Sequence, residues 1–301
     1  MKKVTKAVVL CGGLATRFLP ISKSVPKEML PLLDKPILQI IVEDLAKAGI
    51  KDILVIVGRG KECILNHFDK NVEIEQRLIE TNKLDELAQV QKTYNLANIL
   101  FKRQLEPKGT GYCVEIAKSF VGDDPFVVMF GDEVMFCEKE NAIEQLLQTF
   151  EKEQLSTIAV KQVPMEEVYK YGIIQKGDKI EDGYKVEKIV EKPKVSEAPS
   201  NISYIGPAVL TNEIFDKLKI MKVEEGKEKI LTDAFDLLAR ENKLCARMIE
   251  GDRHDMGNKF GFVKANIYAC LNDENYSKDM KNLICELADK LKNNWFLLKN
   301  D

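Results

Sequence analysis

The stretch Ala7-Val8-Val9-Leu10-Cys11-Gly12-Gly13-Leu14-Ala15-Thr16-Arg17 decides the fold class. Ala7 to Leu10 is a short, fully apolar run ending at glycine, which predicts a central strand buried on both faces, as in a parallel sheet. Gly12 and Gly13 then open a loop at the carboxyl end of that strand. Glycine there lets backbone N–H groups approach a nucleotide, while Arg17 and Lys27 can meet phosphate charge with charge-assisted hydrogen bonds. The plainer alternative is a turn that needs glycine, with solvated cations beside it. No Gly-Lys-Ser/Thr follows, so this is not a Walker A loop, and no third glycine completes a dinucleotide fingerprint.

Working outward, Asp34-Lys35-Pro36 predicts a helix start, with Ile37, Ile40, Ile41, Leu45 and Ala48 at helical spacing and a stop at Gly49. Ile53 to Val57 is a second buried strand, completing a βαβ unit with its right-handed crossover. The pattern repeats with Ile99-Leu100-Phe101, a loop holding Gly109 and Gly111, a helix near Cys113 to Lys118, and an apolar strand from Phe126 to Phe130. Glu138 to Glu153 reads as an amphipathic helix. From Ser156 the style changes to strands at Thr157–Val163, Gly172–Gln175 and Val186–Val190, joined by turns at Lys176-Gly177-Asp178-Lys179 and Asp182-Gly183. Helices return at Asn212–Leu218, Leu231–Glu241, Lys259–Cys270 and Ser277–Lys292.

Composition narrows the function. The 301 residues carry 45 Lys plus Arg against 48 Asp plus Glu, a net charge of −3, with 45% hydrophobic and 31% charged residues. That is an ordinary globular chain, neither disordered nor broadly basic, so nucleic acid is not the expected partner and small-molecule chemistry is. Seven cysteines form no C-x-x-C pair and have no close histidine, which argues against a zinc site or a disulfide framework. Lys6 interrupts the N-terminal apolar run well short of the roughly 7–15 residues of a secretory core, and no run nears the roughly 18 of a membrane span. A cytoplasmic address with no membrane contact is expected. His67 and His254 have no Ser or Cys motif around them, so a hydrolase triad has no support.

Several motifs together resemble one family. Gly13-Leu14-Ala15-Thr16-Arg17-Phe18-Leu19-Pro20 followed by Pro26-Lys27-Glu28-Met29-Leu30-Pro31 is similar to the G-x-G-T-R-x-L-P and P-K-E-M-L-P segments of the sugar-nucleotide pyrophosphorylases, within them the bacterial UTP–glucose-1-phosphate uridylyltransferase branch. The resemblance continues in order through Asn66-His67-Phe68-Asp69, Tyr171-Gly172, Glu191-Lys192-Pro193, Leu231-Thr232-Asp233-Ala234 and Asp255-Met256-Gly257-Asn258, over about residues 5 to 270.

What it implies is an α/β fold: a Rossmann-like, mostly parallel mixed sheet flanked by helices, with a small antiparallel sugar-side insertion and a C-terminal helical tail. Residues 1–270 would form the nucleotidyltransferase domain, its nucleotide part about 1–155 and its sugar-phosphate part about 156–270, with 271–301 as the tail. It implies nucleotidyl transfer from UTP to glucose-1-phosphate with Mg²⁺, in a homodimer or homotetramer. Arg17, Lys27 and Lys192 would be the catalytic cations. Cys11, Gly12, Gly13, Ala15, Thr16, Gln104 and Gly109 would face the nucleotide, Gly172 and Glu191 the sugar, and Asp132 and Asp255 the metal. Asp132 directly follows an apolar strand, where α/β sheets bind ligands. Glu133 could substitute or assist. Without the family, Asp132 reads as a turn cap, Asp255 as a cap of the Lys259 helix, and Glu191-Lys192-Pro193 as a surface turn.

Departures are specific. Ala15 replaces a glycine, which is unfavourable if that position needs positive φ. Gly109-Thr110-Gly111-Tyr112-Cys113 stands for G-L-G-H-A, and Glu106-Pro107 is similar to the thymidylyltransferase branch, so thymidylyl and cytidylyl transfer are the alternatives. Gly206-Pro207-Ala208 replaces Gly-Arg-Tyr, and Lys229-Ile230-Leu231 replaces Ile-Gln-Leu. Thr232 and Asp233 form an N-cap pattern. A binding paralogue that has lost catalysis would lack the cation and carboxylate set, which is intact here. Trp295-Phe296-Leu297-Leu298 would pack on its own domain or at a subunit contact.

Overall fold

The computed structural model describes residues 2–298, with side chains to residue 292. In chain order the strands are β1 (Lys6–Cys11), β2 (Pro31–Leu32), β3 (Lys35–Pro36), β4 (Asp52–Val57), β5 (Asn98–Arg103), β6 (Phe126–Phe130) and β7 (Glu133–Phe136). They continue with β8 (Ser156–Gln162), β9 (Gly172–Ile180), β10 (Gly183–Glu191), β11 (Ile202–Leu210), β12 (Leu244–Met248) and β13 (Asp252–Asp255). Nine of them form one mixed sheet in the order β5-β4-β1-β6-β11-β8-β12-β10-β9. β5, β4, β1 and β6 run parallel. Beyond β6 neighbours are antiparallel except for the parallel pair β8 and β12.

The unbroken apolar runs follow from this position. Ala7, Val9 and Cys11 of β1 enter one core while Val8 and Leu10 enter the other, and β4 and β6 divide their side chains in the same way. A strand covered on both faces has no solvent side on which a polar residue would be favoured. The first face carries helices Ile37–Lys47, Ala142–Glu153 and Lys259–Asn272; the second carries Thr110–Ile116, Glu213–Ile220 and Leu231–Arg240. Phe126 stacks on Phe215 across the second core with ring centroids 5.5 Å apart.

Four local expectations are corrected. Asp34 does not cap a helix: β2 pairs with β3 around Leu33 at φ 57°, so Asp34 sits in a tight hairpin turn and the helix begins after Pro36. The Glu138 helix begins at Ala142, where Asn141 accepts from the Ile143 and Glu144 N–H groups and Glu144 reaches back to the Asn141 N–H. Lys176 to Lys179 is not a turn but the middle of β9, and register shifts opposite Val186 absorb its irregularity. Thr232 does not cap Leu231–Arg240; it lies within the helix, Ile230 stands at the cap position, and no side chain caps there. Helices Glu62–Phe68, Val72–Glu80 and Leu84–Tyr94 had no expectation, although Val72–Glu80 is amphipathic.

The last helix, Ser277–Leu298, packs on Lys259–Asn272. The cluster Trp295 to Leu298 closes it, with side chains outside the described residues. No helix among the described residues is long and apolar enough to cross a membrane. All seven cysteines are free thiols.

Candidate active site

Parallel strands β1, β4, β5 and β6 end on the same edge of the sheet, and the loops leaving them meet there. Gly12 follows β1 and is pressed against Gln104 from the end of β5: a Cβ on Gly12 would lie 2.3 Å from Gln104 Nε2. That amide nitrogen donates to the Gly12 carbonyl at 3.0 Å, and Gln104 Oε1 accepts from Cys113 Sγ at 2.9 Å. Gln104 is therefore buried as the floor of the loop, with both ends of its amide already engaged.

Ala15 adopts φ 53° and ψ 38°, the left-handed region, so the replacement of glycine there stores strain of roughly 1 kcal/mol. One 3-10 turn, Thr16–Phe18, follows, its Phe18 ring edge-on to Phe262 at 6.2 Å. This anchor leaves Thr16 and Arg17 exposed on the loop, and among the described residues Arg17 has no ion-pair partner.

Under the loop lie two lysines with different roles. Lys27 Nζ is 2.5 Å from Asp132 Oδ2. Burial works to lower the Lys27 pKa, but the Asp132 charge and hydrogen bond outweigh it and the ammonium is held above its ordinary value. Lys61, which the sequence reading passed over, is buried and donates to both oxygens of Glu28 at 2.7 and 2.9 Å and to the Cys11 carbonyl at 2.6 Å. Burial pushes the Glu28 carboxyl up while Lys61 and Lys27 pull it down. Burial, aided by Glu28, raises the Cys11 thiol well above its usual value, so Cys11 is a neutral packing residue with its carbonyl in the loop network. A signal for Lys61 existed: it follows Gly58-Arg59-Gly60 at the end of β4, the same edge of the sheet.

The two expected metal ligands converge. Asp132 follows β6, Asp255 ends β13, and the pairing of β13 with β7 sets Asp255 opposite Glu133. The Met256 N–H donates to the Asp132 carbonyl at 3.0 Å. A Cβ on Gly257 would lie 2.8 Å from Asp132 Oδ2 and 2.9 Å from Asp255 Oδ1, so both carboxylates border one small space that only glycine leaves open. Asp255 is no helix cap, since Asn258 caps Lys259–Asn272. Glu133 is not free to assist: Arg253 grips it with two bonds at 2.8 and 2.6 Å and lies 4.9 Å over the Tyr171 ring. Burial pushes the Glu133 carboxyl up to about 7 against the pull of Arg253. Two hard carboxylates around a shared space fit a magnesium ion that takes its remaining ligands from phosphate and water.

The sugar end is built separately. Glu191 ends β10 opposite Gly172, and its Oε2 accepts from Thr232 Oγ1 at 2.8 Å. A Cβ on Gly172 would press on Thr232 Cγ2 at 2.9 Å and on Glu191 Oε2 at 3.3 Å. Lys192 takes φ 45°, donates its N–H to the Tyr171 carbonyl at 2.9 Å, and keeps its side chain 62% exposed with Nζ 3.3 Å from Glu191 Oε1. A cavity of about 180 Å³ is lined by Gly12, Gly13, Lys27, Gln104, Gly109 and Asp132 among others, so these expected residues meet in one place. Cys11, Ala15, Thr16, Arg17, Gly172, Glu191, Lys192 and Asp255 do not line it. The larger cavity of about 570 Å³, between Phe136–Glu140 and Arg247–Asp252, contains none of the expected residues.

His67 bonds Gln39 through Nε2 at 2.9 Å, whereas His254 is wedged between Phe136 and Tyr268 with a buried, unpartnered Nε2. Neither touches the loop cavity.

Residues 6–270 match the model of a protein family described as nucleotidyl transferase. The chain belongs to that family. This nucleotidyl transferase is 44% identical over 287 residues to the UTP–glucose-1-phosphate uridylyltransferase of Staphylococcus epidermidis, covering 95% of this chain and 99% of the relative. Its fold is similar to a UTP-bound UGPase from Acinetobacter baumannii, with TM-score 0.87 and 34% identity over 94% of this chain and 99% of that one. A UDP-glucose pyrophosphorylase complexed with UDP-glucose superposes with TM-score 0.80 at 32% identity, covering 87% of this chain and 97% of that one.

Proposed function

We propose that this nucleotidyl transferase is a UTP–glucose-1-phosphate uridylyltransferase, forming UDP-glucose and pyrophosphate. The observation that carries the reading is the meeting of Lys27, Asp132 and the glycine loop around one cavity, with Asp255 sharing a space with Asp132. A sugar-phosphate oxygen, already ionised at neutral pH, attacks the α-phosphorus; the bond from that phosphorus to the bridging oxygen breaks and pyrophosphate leaves. Such a reaction needs positioning and charge neutralisation more than a proton shuttle.

On this reading the N–H groups around Gly12 and Gly13, with Cys11, Ala15 and Thr16, cradle the nucleotide, and Arg17 takes the triphosphate tail. Gly109 faces the base from the wall of the cavity, while Gln104 acts through Gly12. Lys27 neutralises charge at the reacting phosphates, and Lys192 closes on the sugar phosphate. Glu191, held by Thr232 beside Gly172, accepts from sugar hydroxyls. Asp132 and Asp255 would hold a magnesium ion, which when bound neutralises triphosphate charge. Residues up to about 155 serve the nucleotide, about 156–270 the sugar phosphate, and the helical tail lies beyond. A cytoplasmic homodimer or homotetramer completes the proposal.

The test is a matrix of nucleoside triphosphates against sugar-1-phosphates, followed by pyrophosphate release with Mg²⁺ and again with chelator. Release fastest with UTP and glucose-1-phosphate, abolished by chelator, is expected. Release with dTTP well above UTP would replace uridylyl by thymidylyl transfer, and no release with any pair would leave a binding paralogue.

A further inference from the structure

The segment from Glu228 to Thr232 runs between the base loop and the sugar end, and Lys229 fastens it at both backbone and side chain. The Lys229 N–H donates to the Lys108 carbonyl at 2.8 Å, and the Lys229 carbonyl accepts from the Gly111 N–H at 2.8 Å. Two residues on, the Leu231 N–H donates to Thr110 Oγ1 at 3.0 Å. The glycines of the base loop are what admit this strap. A Cβ on Gly109, at φ 97°, would lie 2.5 Å from the Lys229 carbonyl oxygen, and one on Gly111 would lie 2.9 Å from Lys229 Cγ. The largely buried Lys229 ammonium donates to Glu115 Oε2 at 2.7 Å and to the Leu218 carbonyl at 3.1 Å. An isoleucine, the residue of the resembled family at this position, could make the backbone bonds but not this ammonium clamp.

The same strap ends in Thr232, whose hydroxyl donates to Glu191 and whose methyl packs on Gly172. A continuous set of contacts thus leads from the loop 104–111 through Lys229 to the sugar carboxylate. We propose that Lys229, clamped by Glu115, is a positioning residue that couples the nucleotide loop to the sugar end. Ordering of one end then carries to the other, so each substrate binds better when the other is present. The proposal rests on the uridylyltransferase reading.

Titration calorimetry with UTP, with and without glucose-1-phosphate and in chelator so that no turnover occurs, and steady-state kinetics with Mg²⁺ on Lys229→Met, Glu115→Gln and the double variant test it. Lys229→Met keeps the aliphatic stem and loses only the charged hydrogen bonds, so the factor by which glucose-1-phosphate tightens the UTP Kd should fall about fivefold or more, and the KM for glucose-1-phosphate should rise, while the Kd for UTP alone stays within about twofold; an equal loss of UTP affinity with and without glucose-1-phosphate would mark a merely structural role. Glu115→Gln should act in the same direction, and the double variant should be no worse than Lys229→Met alone. An unchanged factor, additive effects, or a fall in kcat with KM intact would overturn the coupling role; should Lys229→Met fail to fold, Glu115→Gln decides alone. Wild-type protein that neither binds UTP nor releases pyrophosphate would instead defeat the uridylyltransferase reading itself.

Discussion

Lys27 Nζ and Asp132 Oδ2, 105 residues apart in the chain, meet at 2.5 Å beneath the glycine loop. The pair sets an ammonium against the carboxylate that also borders the space shared with Asp255, and these two carboxylates would hold a metal. Asp132→Ala is therefore expected to lower kcat by about 10²-fold or more, as when a preorganised charge is lost from a transition state. Raising Mg²⁺ should not restore turnover, because Arg253 already holds Glu133. Pyrophosphate release over a Mg²⁺ series reads this directly; near-wild-type turnover at any Mg²⁺ level would remove Asp132 from the machinery.

Lys61 supports the loop from below. Lys61→Met leaves Glu28, fully buried, without its main partner and the Cys11 carbonyl without a donor. Breaking a buried pair by removing one partner costs about 3–5 kcal/mol. Urea unfolding should show a loss of that order, and a change below about 1 kcal/mol would mean that water reaches Glu28 in the folded protein.

Ala15 is strained at φ 53°. Ala15→Gly relieves the left-handed strain by more than it adds in chain entropy and should stabilise the protein by about 0.5 kcal/mol, whereas Ala15→Val should destabilise it. Parallel unfolding curves for the three proteins decide the matter. If the glycine variant is the less stable, the loop does not hold this conformation in solution.

Asp44 predicts a pH dependence away from the site. Burial, with Glu43 and Glu144 adding and Lys47 opposing, pushes its carboxyl from 3.8 up to about 6. A raised acid favours the folded state fully below its unfolded pKa, and that contribution is lost as pH rises through the folded value. Asp44→Asn should therefore be more stable than wild type at pH 7, by on the order of 1–3 kcal/mol, with the advantage shrinking as pH falls from about 6 to about 4. Denaturant melts across that range provide the check, and a constant difference would show that Asp44 is hydrated.

Much of the architecture could be read from residues 7–11, 53–57 and 126–130, because a strand buried on both faces must be apolar throughout. The glycine loop, the cations Arg17 and Lys27 and the candidate ligands Asp132 and Asp255 were legible for a related reason: each stands just past a strand end or in a short motif. Less was legible where local patterns had to yield to distant partners. Asp34 has the residue type of a cap but lies in a hairpin, Lys176–Lys179 has turn residues but pairs across β10, and Thr232 turns from cap candidate to the partner of Glu191.

The sequence by itself determined the parallel half of the sheet, its loaded edge and the inventory of charges, since these depend on hydrophobic period and on neighbours a few residues away; β11 and β12, which complete the sheet, came only with the tertiary structure. Only the tertiary structure decided which charge meets which. It set Lys27 against Asp132, gave Glu28 to Lys61 and Glu133 to Arg253, closed the Gln104 amide onto Gly12, and drew the Lys229 strap across Gly109 and Gly111. Such pairings join residues many tens of positions apart, and a buried charge takes the partner that the packing brings within hydrogen-bond reach, whatever the spacing along the chain.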